Sequence, residues 1–152
     1  MLRKTFLILC LALPLAAAAA KIYPDPARAV ADISAAVKQA RLEGKRVLVD
    51  FGGDWCTDCK VLDVNLRKPE NAALLARRFV IVHVNVGETG IATNFDVAKR
   101  YGIPLEKGVP ALAVLEPNGR VVHAQRAGEF ENMRAMDPAS VHDFLVRWEG
   151  TR

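Results

Sequence analysis

A chain of 152 residues, 51% hydrophobic and 25% charged, has an ordinary globular composition and enough length for one domain with its own core. Arg3 and Lys4 supply two units of the net charge of +4, leaving +2 over the rest. That balance, with no basic run interleaved with aromatics, argues against a nucleic acid partner, and no internal repeat points to a solenoid.

The first segment, "MLRKTFLILCLALPLAAAAAK", has a basic start, an apolar stretch from Phe6 to Leu15 and a small-residue end. These are the three parts of a secretory signal peptide, with cleavage expected after Ala20. A membrane anchor is the alternative, but the apolar run is short for a span. Residues 1–20 therefore read as a leader and 21–152 as a single domain, exported to the periplasm. Removal of the leader takes Cys10 with it and leaves Cys56 and Cys59 as the only thiols. In an oxidising compartment such a dithiol stays reduced only if something reduces it.

Residues 25–45 predict a helix. Asp25 is a good N-cap and Pro26 suits the first turn. Val30, Ile33, Val37 and Ala40 recur at helical spacing, and Gly44 is a stop signal. "RVLVDF" (46–51) reads as a buried strand, broken by "GGDW". Cys56 to Arg78 is expected to be mostly helical, bent near Pro69. "FVIVHVNV" (79–86) is a second buried strand and 94–101 a short helix. "VPALAVLE" (109–116) is a third strand, 117–119 a tight turn and 120–127 a fourth strand. A last helix opens at Asp137 and Pro138, with Val141, Phe144, Leu145 and Trp148 as its apolar stripe. Lys21 to Pro24 could add an edge strand. The β-α-β alternation followed by a hairpin implies an α/β fold, with helices flanking a mixed sheet of four or five strands.

Cys56 stands where a strand and a glycine break give way to a helix. The free N–H groups and partial positive charge of a helix N-terminus favour thiolate over thiol. Cys59, three residues on, shares the helix face and is within disulfide reach. The spacing suits attack by Cys56 on a disulfide, with resolution by Cys59 through a mixed disulfide. Two thiolates also suit Cu(I) or Zn, so a copper-binding chaperone stays open. However, His83, His123 and His142 lack ligand spacing from the pair and read as ordinary strand and helix residues. A structural staple is the third use, but a loop this short gains little from one.

"VDFGGDWCTDCK" resembles the active-site segment of the thioredoxin superfamily. Val109-Pro110, at the head of a later strand, matches the position of its cis-proline. "PNGRVV" matches its last hairpin, and Gly128 the glycine that follows. The resemblance covers roughly 46–128 and implies a thioredoxin-like fold and a protein thiol-disulfide oxidoreductase. By the same resemblance Cys56 is the nucleophile and Cys59 the resolving thiol. Asp50 is the buried acid beneath the disulfide, able to take the Cys59 proton through water. Trp55 packs over the site, and Lys60 is either a solvated helix residue or an electrostatic aid. Pro110 faces the disulfide in cis, and the backbone of Val109 pairs with an extended substrate segment.

The cysteine pair itself is the redox centre, with no further cofactor and no metal. Protein or peptide thiols and disulfides are the expected partners, with electrons from a membrane-bound donor, and the chain is expected to be a monomer. One departure from the family pattern bears on reactivity and two on partners. Thr57-Asp58 between the cysteines sets a negative charge beside the thiols, which should disfavour the Cys56 thiolate and make the couple reducing. Oxidase or isomerase action is the alternative direction. "YGIPLEKGVP" (101–110) is three residues longer than usual, and "GEFENMRAMD" (128–137) is extra loop; both are expected near the substrate face or the sheet end.

Overall fold

A computed structural model describes residues 21–150. The leader read at residues 1–20 lies outside the described residues. The element order is α1 (Ala29–Glu43), β1 (Arg46–Gly52), α2 (Thr57–Leu66), α3 (Pro69–Arg78), β2 (Phe79–Asn85), α4 (Phe95–Arg100), β3 (Ala111–Leu115), β4 (Val121–Ala124) and α5 (Ser140–Trp148). The fold is α/β and thioredoxin-like, with a mixed sheet ordered β2-β1-β3-β4. β1 pairs parallel with β2 and antiparallel with β3, and β3 pairs antiparallel with β4.

β1 is central and covered on both faces, which is why it reads as an unbroken apolar run. Val47, Val49 and Phe51 share one core with Ile33, Ala36 and Ala40 of α1. Leu48 faces the other core, with Leu62, Leu66, Leu74, Val141 and Leu145 of α2, α3 and α5. Alternation along β1 thus joins both cores at the strand that ends in the cysteine turn.

Several boundaries shift for physical reasons. α1 is preceded by a 3-10 turn, Pro26–Arg28, whose N-cap Asp25 accepts from the Ala27 N–H at 2.8 Å. Its buried stripe is Ala29, Ile33, Ala36 and Ala40. Val30 sits one residue off that stripe and is 56% exposed, against expectation. The helix expected over 56–78 is two helices. Lys68 is extended (φ −57, ψ 142), because the residue before a proline avoids the helical region. Asn71 closes the break, its buried Nδ2 donating to the Asn65 carbonyl at 2.8 Å.

Lys21 to Pro24 is not a strand. Its backbone bonds to side chains instead: Ile22 N–H to Asp54 Oδ1 at 3.0 Å, and the Pro24 carbonyl to Asn85 Nδ2 at 2.9 Å. Tyr23 is thereby driven into the core, fully buried. β3 starts at Ala111 rather than Val109; Pro110 has no N–H to give a ladder. β4 is four residues long and follows an irregularity at Val114/Leu115. α5 begins at Ser140, a turn later than Asp137-Pro138, with Asp137 Oδ1 accepting from Ala139 N–H at 2.8 Å.

Candidate active site

β1 ends at Gly52, and the chain turns through Gly53 to Trp55 into α2. Cys56 is the N-cap of α2 (φ −85, ψ 115), and its sulfur accepts from the Cys59 N–H at 3.1 Å. An N-cap side chain normally satisfies one orphan N–H of the first turn with oxygen; here sulfur does so. That N–H and the helix dipole are aimed at the atom that would bear the thiolate charge. Cys56 and Cys59 form a disulfide with Cα atoms 5.2 Å apart. Cys56 is 6% exposed and Cys59 0%, so an incoming sulfur meets Cys56 first. The Val109 carbonyl oxygen lies 3.6 Å from Cys56 Sγ, and the Val109–Pro110 peptide is cis.

Asp50 is buried on β1, two residues before the strand ends at Gly52, and directly opposite His83 of β2 in the parallel register. Its Oδ2 accepts from the Tyr23 hydroxyl at 2.8 Å and contacts His83 Nδ1 at 2.8 Å. Its Oδ1 is buried with no protein partner. Tyr23 and His83 meet edge to face, ring centroids 5.4 Å apart. Burial first, then the Asp50 charge, push the Tyr23 hydroxyl far above its ordinary range, so it stays a donor. For His83, burial pulls downward, but the hydrogen bond and charge of Asp50 outweigh it and the net shift is upward.

Sequence reasoning passed over both partners. Tyr23 lay in a segment read as a possible edge strand. His83 was read as an ordinary strand residue. A polar ring inside an otherwise apolar buried strand was the one available signal.

Asp58 differs from expectation. Its carboxylate is not an unpaired charge beside the thiols. Oδ1 accepts from the Arg134 backbone N–H at 3.0 Å and from Arg134 Nε at 3.2 Å, and Oδ2 lies 3.2 Å from the guanidinium. Burial pushes Asp58 upward, but these bonds outweigh it and hold it below the usual carboxylate range. Arg134 belongs to the extra loop 128–137, which anchors itself in the core through Phe130 and Met133. The loop also meets the other lengthened segment: Glu131 packs against Gly108, and Gly128 against the Lys107 carbonyl. The two insertions are thus one structure, tied to the first turn of α2 and standing beside Pro110.

Trp55 is 37% exposed at the rim, and its Nε1 donates to the Gly87 carbonyl at 2.7 Å. The indole lies against Gly53, where a Cβ would collide with it. Lys60 is exposed, on the first turn of α2. Among the described residues no group of three or more His, Cys, Asp or Glu could hold a metal ion. His123 stacks on Trp148 and His142 pairs with Asn71.

A family model described as thioredoxin-like matches residues 28–117. The chain belongs to the thioredoxin-like family. Within it, the chain is 29% identical over 125 residues to the thiol:disulfide interchange protein DsbD 2 of Pseudomonas aeruginosa, covering 80% of this chain and 19% of that protein. The chain therefore spans a minor part of the length of this relative. A thioredoxin of Buchnera aphidicola is 32% identical over 91 residues, which cover 60% of this chain and 73% of that one.

Among solved structures, a disulphide isomerase from Xylella fastidiosa superposes with a TM-score of 0.79 at 33% identity, over 86% of this chain and 98% of the other. A thioredoxin from Thermus thermophilus, at 24% identity and a TM-score of 0.55, shares the fold. With its cysteine pair at disulfide distance, this thioredoxin-like chain is a thiol-disulfide oxidoreductase. No helix among the described residues is long and apolar enough to cross a membrane.

Proposed function

We propose that this protein is a disulfide reductase of the periplasm, passing electrons from a membrane-bound donor to disulfides in proteins or peptides. The observation that carries the reading is the asymmetric pair: Cys56 at the helix cap, 6% exposed, and Cys59 fully buried behind it. Cys56 thiolate attacks one sulfur of the substrate disulfide, and the other substrate sulfur leaves as thiolate. Cys59 then gives up its proton to Asp50 and attacks Cys56 Sγ. The second substrate sulfur leaves, and the Cys56–Cys59 bond closes. Two electrons have passed to the substrate, and the pair itself is the redox centre.

The cis turn at Val109-Pro110 offers its backbone to an extended substrate beside Cys56. Trp55 shields the rim. Export follows from the leader sequence. The donor follows from the compartment, which oxidises any dithiol left without a reductant. The interchange protein and thioredoxin among the relatives support dithiol exchange as the chemistry.

The disulphide isomerase from Xylella fastidiosa favours a second reading, in which the same attack by Cys56 shuffles disulfides without net reduction. The reduction potential separates the two. With Asp58 paired to Arg134, the acidic residue no longer argues for extreme reducing power, and a value near that of thioredoxin, about −270 mV, is expected. A value at or above about −150 mV, nearer the strong oxidants, would sink the reductase reading. The protein should also reduce insulin with dithiothreitol as electron source, and Cys56→Ser should abolish this. Stoichiometric copper binding without turnover would point to a chaperone instead.

A further inference from the structure

We propose that Tyr23 and His83 are positioning residues for proton transfer at Cys59: by occupying Oδ2 of Asp50 they leave Oδ1 as the oxygen that takes the thiol proton. The inference rests on the reading of Asp50 as the proton acceptor and says what makes it one.

The geometry is specific. A buried carboxylate has two oxygens to satisfy, and burying either without a partner is costly. Here both available protein donors converge on Oδ2, each at 2.8 Å. Oδ1 is left buried and unpartnered, an arrangement that a merely structural aspartate would not favour. Gly52, two residues along the same strand from Asp50, lies between the Tyr23 hydroxyl and the thiol. A Cβ there would collide with the Tyr23 hydroxyl and come within 2.9 Å of Cys59 Sγ. Tyr23 and Cys59 therefore border one small volume that a glycine keeps open, and Asp50 adjoins it through its bond to the Tyr23 hydroxyl.

The proton balance is simple. In the resolving step the Cys59 S–H bond breaks and its proton passes to Asp50 Oδ1, directly or through one water. The Cys59 sulfur bonds to Cys56 Sγ, and the substrate sulfur departs with the electron pair. Reprotonation of that thiolate comes from solvent, and Asp50 loses its proton before the next cycle.

Throughout, Oδ2 can only accept while Asp50 is ionised, so His83 Nδ1 must carry a hydrogen. The charge of the ring therefore changes at Nε2. The ring is partly exposed, its side chain 22% accessible. The groups facing it are Asp50 on β1, Tyr23, Asp63 and Arg67 from α2 and the turn after it, and Arg28 and Asp32 across the groove beside α1. Neutralising the carboxylate works against its attraction to a charged ring. The resolving step should therefore quicken as His83 loses its proton, above the ordinary imidazole range of about 6.5.

The step can be isolated. Reduced protein carrying Cys10→Ser, so that Cys56 and Cys59 are its only thiols, is mixed with Ellman's reagent in a stopped-flow instrument. The first release of thionitrobenzoate reports attack by Cys56 and the second reports Cys59. Tyr23→Phe and His83→Leu should slow the second release about tenfold or more and leave the first unchanged. His83→Asn, which keeps an N–H donor without titrating, should recover most of the rate and flatten its pH profile. It tests the ring even if His83→Leu fails to fold.

Second-phase rates within about twofold of wild type in Tyr23→Phe and His83→Asn, with an unaltered pH profile, would overturn the inference while a slow Asp50→Asn left Asp50 in its role. A fast Asp50→Asn would remove the Asp50 reading and this inference with it. Absence of any second release in wild type would remove the dithiol function itself.

Discussion

At the scale of single residues, the pair Asp58–Arg134 governs the charge next to the dithiol. Asp58 lies between the cysteines in sequence, and the neutralising partner of its carboxylate comes 76 positions later. Arg134→Gln leaves a mostly buried carboxylate short of donors, which costs about 1–3 kcal/mol in urea unfolding. It also removes the guanidinium that offsets the Asp58 charge and leaves only backbone N–H donors, so the reduction potential should fall, becoming more reducing. Asp58→Asn should raise the potential and make Arg134→Gln nearly silent on that background, which a double-mutant cycle measures. The pH sign follows from the depressed Asp58 value. A carboxyl held below its unfolded value contributes stability that is present above about pH 4 and is lost as pH falls through the folded value. Arg134→Gln should therefore flatten the acid limb of the stability curve, and an unchanged limb would show that the pair does not form in solution.

At the scale of elements, the redox helix is short and its far end is held by neighbours. α2 stops at Leu66, and Asn71 of α3 donates to the Asn65 carbonyl while its Oδ1 meets His142 Nδ1 of α5 at 2.8 Å. One buried amide thus joins three helices. Asn71→Ala should lower stability by about 2–3 kcal/mol, because a buried carbonyl loses its donor. Insulin reduction per folded molecule should survive, since the site lies at the other end of α2. Much of this level was legible beforehand. Strands β1 and β2 announce themselves as apolar runs, and Pro69 and Gly44 mark helix ends through backbone sterics that need no tertiary contact. Val30 reads as buried from sequence because Ala29 and Ala36, which hold the true stripe with Ile33 and Ala40, carry too little apolar bulk to reveal it. The segment Lys21–Pro24 was misread because side chains of Asp54 and Asn85, not a strand, take up its backbone groups.

At the scale of the whole molecule, the two lengthened segments form one wall beside the cis turn. Gly128 holds φ +71, and a Cβ there would sit 2.5 Å from the Lys107 backbone oxygen. Gly128→Ala should cost about 1–3 kcal/mol through left-handed strain and this clash. By shifting residues 107–110 it should also raise KM for a protein disulfide more than for a small one such as Ellman's reagent. Equal effects on both substrates would argue against a role for this wall in docking proteins. The sequence alone determined the dithiol, its place at a strand-to-helix junction and the α/β order around it, because spacing, capping and apolar periodicity act over a few residues. Only the tertiary structure decided what surrounds the dithiol. Tyr23 and His83 reach Asp50 across 27 and 33 positions, and Arg134 reaches Asp58 across 76. Such partners share no local pattern with the residues they serve; the packing of the sheet, the N-terminal segment and the extra loop brings them together, and burial then makes each hydrogen bond matter.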